Sequence, residues 1–191
     1  MPLETDDSDH LIALLARNAE RHGGDIALME RDRGIWQEWT WSAYCDHVLS
    51  LAAGFEAAGV KAGDIVLVIG DNRRALYAAM LALIALRAIP SPAYSDVNAD
   101  ELSGQVAREG ITIAVAEDQE QVDKLMQVRQ ANPAMTLIAY DDPRGLKGNE
   151  PAGVVALATL VEQGARRLGE EPGLRAALEA SPQAGLSLIH I

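Results

Sequence analysis

Residues 65–94 read strand, polar turn, buried helix, strand, and no other stretch restricts the fold as strongly. Ile65-Val-Leu-Val-Ile69 is a β-branched, wholly apolar run that stops at Gly70-Asp71-Asn72. Residues 73–87 follow with a helical composition that is apolar nearly all round, and Ile89-Pro90-Ser91-Pro92 resumes an extended path. A strand apolar on both faces, joined at once to a helix apolar on most faces, is the pattern of a parallel α/β sheet. Open parallel sheets place ligands outside the carboxyl ends of their strands. The turn at Gly70, Asp71, Asn72 and Arg73 stands at such an end.

The rest of the chain repeats the unit. Apolar strands are expected to begin near residues 65, 89, 112 and 136, about two dozen residues apart, which fits successive strand–helix crossovers. Helices are expected over 42–58 with Ser42 as cap, over 98–109, over 119–130, over 154–168 and over 172–180. A first helix is expected to start from a Ser8 or Asp9 cap and run to about His22, burying Leu11, Leu14, Leu15 and Asn18. Residues 26–31 and 37–41 then read as a β-hairpin across Asp32-Arg33-Gly34, with Trp39 and Trp41 on one face as core anchors. No strand is expected after residue 140.

Composition narrows the partners. The net charge of −12 argues against nucleic acid, which demands clustered Lys and Arg, and against adhesion to anionic membranes. The longest apolar helix, residues 75–86, falls well short of the ~20 residues that span a bilayer, and the acidic start lacks a secretory pattern. A cytoplasmic location is the expectation. The single cysteine, Cys45, lies inside an expected helix and reads as a buried thiol.

Signatures of phosphate loops, dinucleotide folds, zinc proteases and hydrolase elbows are absent from the sequence. The four histidines, His10, His22, His47 and His190, have no ligand spacing, so no metal site is expected. The best local candidate for binding is the turn itself: Asp71 and Asn72 offering hydrogen bonds and Arg73 meeting an anion. The structural alternative makes Asp71 or Asn72 the N-cap of the following helix, with Gly70 allowing the bend. Asp141-Asp142-Pro143-Arg144-Gly145 reads as turn chemistry rather than as a carboxylate pair. Pro90 and Pro92 fit an edge strand.

Four segments together resemble a known family. They are residues 33–41 with the downstream Tyr44; residues 59–73; Ala88-Ile-Pro-Ser-Pro-Ala-Tyr94 before Asp100-Glu101-Leu102; and residues 115–125 with Tyr140-Asp-Asp-Pro-Arg-Gly145. In order and spacing they are similar to the N-terminal portion of AMP-forming long-chain acyl-CoA synthetases, of the adenylate-forming superfamily. The resemblance implies an α/β fold, mostly a parallel sheet with flanking helices and an N-terminal β-hairpin. It also implies a fatty-acid–CoA ligase that uses ATP, Mg²⁺ and coenzyme A. In that chemistry the acid carboxylate attacks the α-phosphate of ATP, giving an acyl-adenylate and pyrophosphate, and the thiol of coenzyme A then displaces AMP. Peripheral membrane association of the parent enzyme is a further possibility.

The family's Ser/Thr/Gly-rich phosphate loop would begin after Ser181-Pro182, and the resemblance assigns no catalytic residue to any position. The expected organisation is a lead-in over 1–8, an incomplete AMP-binding-type domain over 9–185, and a non-native hexapeptide over 186–191. That hexapeptide, Leu186-Ser-Leu-Ile-His-Ile191, is similar to a translated adapter from DNA library preparation. Such a chain is expected to be inactive and to bind none of the cofactors productively. Three other readings stay open: a non-catalytic α/β ligand-binding module with its pocket over Gly70, Asp71, Asn72 and Arg73, a fragment of another adenylate-forming enzyme, and a purely structural fragment that binds a partner.

Overall fold

A computed structural model describes residues 10–180. The expected lead-in, the Ser8 or Asp9 cap and the terminal hexapeptide lie outside the described residues. Helix α1 (Leu11–His22) is capped by His10, whose Nδ1 accepts from the Ala13 amide at 3.2 Å. It buries Ile12 and Leu15, with Ala16 and Ala19 packed beside them, while Leu11 is exposed. The expected face is thus rotated by one position: the i, i+3, i+4, i+7 stripe runs from Ile12.

Strands β1 (Ile26–Asp32) and β2 (Ile35–Thr40) form the antiparallel hairpin. Arg33 and Gly34 both take positive φ (48° and 84°), the two-residue turn whose twist suits paired strands. Thr40, and not Ser42, caps α2 (Trp41–Ala57), its side chain accepting from the Ala43 amide at 3.2 Å. Trp41 therefore belongs to the helix. Trp39 and Trp41 are half-buried against the core, whereas Trp36 is exposed.

The central sheet contains β3 (Ile65–Ile69), β4 (Ile89–Ala93), β5 (Ile113–Ala116), β6 (Leu137–Tyr140) and β7 (Val154–Ala156), all parallel, in the order β4-β3-β5-β6-β7. Strand β7 corrects the expected helix over 154–168. Its three residues run straight into α6 (Leu157–Glu170) with Ala156 as cap, so no turn marks the join. The β4 edge carries Pro90 and Pro92, as an edge position permits.

Alternation along the strands divides the core in two. Val66, Val68, Ile113, Val115 and Ala139 face α1, α2, α6 and the helix α3 (Arg74–Ala85). Leu67, Ile69, Ala114, Ala116, Ile138 and Tyr140 face α4 (Ala99–Glu109) and α5 (Gln119–Ala131). Strands buried on both faces read as continuous apolar runs for this reason. A short α7 (Leu174–Glu179) packs against α2.

Helices α2 and α6 cross at two glycines. A Cβ on Gly164 would overlap the Ser50 carbonyl oxygen, and one on Gly54 would overlap that of Leu160. Arg167 seals the crossing: its Nη1 donates to the Ala53 carbonyl at 2.7 Å.

Candidate functional site

The strand order reverses between β3 and β5: the chain leaves β3 for β4 on one side and returns to β5 on the other. Helix α3 covers one face and α4 and α5 the other, so a crevice opens outside the carboxyl ends at this reversal. Parallel register sets Ile69 beside Ala116, and the next residues, Gly70 and Glu117, emerge side by side.

Gly70 has φ 149°, and a Cβ there would stand 2.5 Å from Glu117 Cβ and 2.8 Å from Leu76 Cδ1. Only glycine admits both the conformation and the contact. Glu117 then holds the turn. Its Oε2 accepts from the Asp71 amide at 2.6 Å and its Oε1 from Arg73 Nε at 2.8 Å. That bond holds the Arg73 guanidinium above its usual pKa. Ser95 Oγ donates to Asp71 Oδ1 at 2.9 Å, tying in the loop after β4.

The hairpin reaches the same place through Glu30. Its carboxylate lies 3.6 Å from Arg73 Nη1 and 3.4 Å from Arg74 Nε. Arg74 stacks 4.6 Å over the Trp39 ring, which in turn contacts His47 at 4.5 Å between centroids. Burial, with Arg74 nearby, lowers the His47 pKa. At the end of β6, burial and then the Glu30 charge push Asp141 up to about 6. Asp142 behaves as turn chemistry requires: its carboxylate accepts from the Arg144 amide at 3.0 Å and pairs with the Arg144 guanidinium, which lowers its pKa.

Beside the crevice, on the β3–β4 side, lies a cleft of about 380 Å³. Leu76, Tyr77 and Met80 of α3 form one wall, and Pro92, Tyr94 and Gln105 the other. Asp71, Asn72 and Arg73, the candidates singled out by sequence, all line it. Neither Asp71 nor Asn72 caps α3. The N-cap is Arg73, in extended geometry and without a side-chain cap bond, and the Asp71 carboxylate is engaged by Ser95. The Asn72 side chain makes no hydrogen bond among the described residues and stands exposed at the rim.

Glu117, Glu30 and Ser95 were not foreseen. One signal pointed to Glu117: a charged residue directly after an apolar strand whose register matches that of β3.

A family model described as AMP-binding enzyme matches residues 15–170. The chain belongs to this family. Its fold recurs in acetoacetyl-CoA synthetase from Streptomyces lividans, with a TM-score of 0.69 and 22% identity over 78% of this chain and 24% of that one. The anthranilate CoA ligase AuaEII, in complex with anthranoyl-AMP, gives 0.69 at 15% identity over 85% and 29%. The adenylation domain of a carboxylate reductase from Mycobacterium chelonae gives 0.66 at 14% identity over 83% and 30%. The chain thus spans 24–30% of the length of these solved relatives. No curated protein matches it in sequence.

The lining of this cleft offers a triphosphate no unpaired cation. Arg73, the one cation lining the cleft among the described residues, is already paired with Glu117 and Glu30, and the other charged lining groups among them, Asp71 and Glu101, are carboxylates. Among the described residues no group of three or more His, Cys, Asp or Glu side chains is disposed to hold a metal ion. Nor is any helix among them long and apolar enough to cross a membrane.

Proposed function

We propose that this chain is the scaffold wall of an ATP-dependent acid–thiol ligase of the long-chain fatty-acid–CoA type, and that alone it is catalytically inactive. The family match over residues 15–170 carries the adenylate-forming part of the reading. The long-chain part rests on the order and spacing of residues 33–41, 59–73, 88–94 and 115–125. ATP, Mg²⁺ and coenzyme A are cofactors of the whole enzyme, and its substrates are fatty acid, ATP and coenzyme A. A crevice whose guanidinium groups are already neutralised offers a triphosphate little charge compensation, and that favours inactivity of the chain alone.

The test is thioester formation by the full reading frame that contains this chain, assayed with acids from acetate to palmitate and with aryl acids. Preference for long-chain acids supports the proposal. Preference for aryl acids assigns the chain to another adenylate-forming enzyme.

The cleft of about 380 Å³ favours a second reading, a ligand-binding module in its own right. Micromolar binding of a nucleotide or acyl compound by the isolated chain would establish it.

A further inference from the structure

Numbered by their order in the chain, the sheet strands run 2-1-3-4-5, and in such sheets the ligand lies outside the first and third strands. Here those strands are β3 and β5, and a side chain of the protein itself occupies the space beyond them. One Glu117 oxygen lies 2.6 Å from a main-chain amide, that of Asp71, and the other lies 2.8 Å from the Nε of Arg73. A carboxylate shared between a turn amide and a guanidinium edge is how proteins hold a bound carboxylate. The surroundings are built for it. Gly70 leaves room that any Cβ would fill, Ser95 holds the Asp71 side chain, and Glu30 meets Arg73 through Nη1, leaving the Nε edge to Glu117.

We propose that the Asp71 amide and the Arg73 guanidinium form a carboxylate site that the chain fills with Glu117, a tethered ligand that closes the switch point. A free small carboxylate takes the place of that side chain when it is removed. While Glu117 is seated, anionic ligands are kept from the β3–β5 crevice, and the open ligand space shifts to the cleft beside β4. This holds whether or not the acid-activating reading does.

The test compares the full chain with Glu117→Ala in acetate and in chloride at equal ionic strength. Acetate is expected to raise the unfolding midpoint of Glu117→Ala by ~2–4 °C at several times its dissociation constant, and to leave the unsubstituted chain unmoved. Adding Arg73→Ala to the Glu117→Ala chain should abolish the rise. Equal responses of the two chains, or no response in Glu117→Ala, would overturn the proposal. If Glu117→Ala does not fold in chloride, its refolding yield is read instead: recovery in acetate alone supports the site, and recovery in neither overturns it.

Discussion

Arg73 and Glu117 stand 44 positions apart in sequence yet meet at 2.8 Å, joining the turn after β3 to the end of β5. The same guanidinium reaches Glu30 of the hairpin, so one side chain ties three parts of the fold together. Arg73→Ala leaves the Glu117 and Glu30 carboxylates near each other without their shared cation. Because the Arg73 side chain is 43% exposed, solvent screens part of the effect, and the expected loss is about 1–2 kcal/mol. Arg73→Lys should restore only a fraction, since a single ammonium cannot meet both carboxylates in this geometry. Urea unfolding of the three proteins measures both. A loss within ±0.3 kcal/mol for Arg73→Ala would show the pair to be ornamental.

The α2–α6 crossing gives a sharp contrast between two glycines of one helix. Gly164→Ala drives a methyl into the Ser50 carbonyl and the Gly54 amide, both backbone, and should cost about 1–3 kcal/mol. Gly169→Ala meets nothing within 4 Å and should be neutral, or stabilising by up to ~1 kcal/mol through helix propensity. Equal effects at the two positions would contradict the close approach.

Asp141 predicts a pH dependence with a definite sign. Its carboxyl is raised from 3.8 to about 6 in the fold, so the folded chain holds the proton more tightly than the unfolded one. The group therefore favours the fold at low pH and withdraws that favour as pH rises from about 4 through 6. Asp141→Asn removes the effect. The stability difference between variant and unsubstituted chain should move by roughly 2 kcal/mol in the variant's favour across this window and stay level above it. Taking the difference cancels the opposite contribution of Asp142, whose pKa is lowered by Arg144. A difference flat from pH 4 to 7 would contradict the burial assigned to Asp141.

Cys45 is 3% exposed, and burial, with Glu179 adding to it, pushes its thiol up to about 11. Only the thiolate reacts, so the folded chain should label with a thiol-reactive disulfide at least ~10³-fold more slowly than the unfolded chain. Stoichiometric labelling within minutes in native buffer would place Cys45 at an accessible surface.

Much of this architecture was legible because its strands are buried on both faces. The runs ending at Ile69 and Ala116 could be read directly, and the turn at Gly70 marked where a ligand space opens. Strand β7 was hidden because three apolar residues pass into a helix without a break. Asp71 bonds Ser95, a tertiary contact that sequence spacing cannot reveal, and the N-cap of α3 falls on Arg73. The partnership of Glu30 and Glu117 was invisible for the same reason, since it depends on where a hairpin docks.

The most direct measurement is ATP–pyrophosphate exchange by the purified 191-residue chain with palmitate and Mg²⁺. A scaffold wall whose crevice cations are already paired should give no exchange above the protein-free blank. Exchange that rises with protein concentration and with palmitate would contradict that assignment.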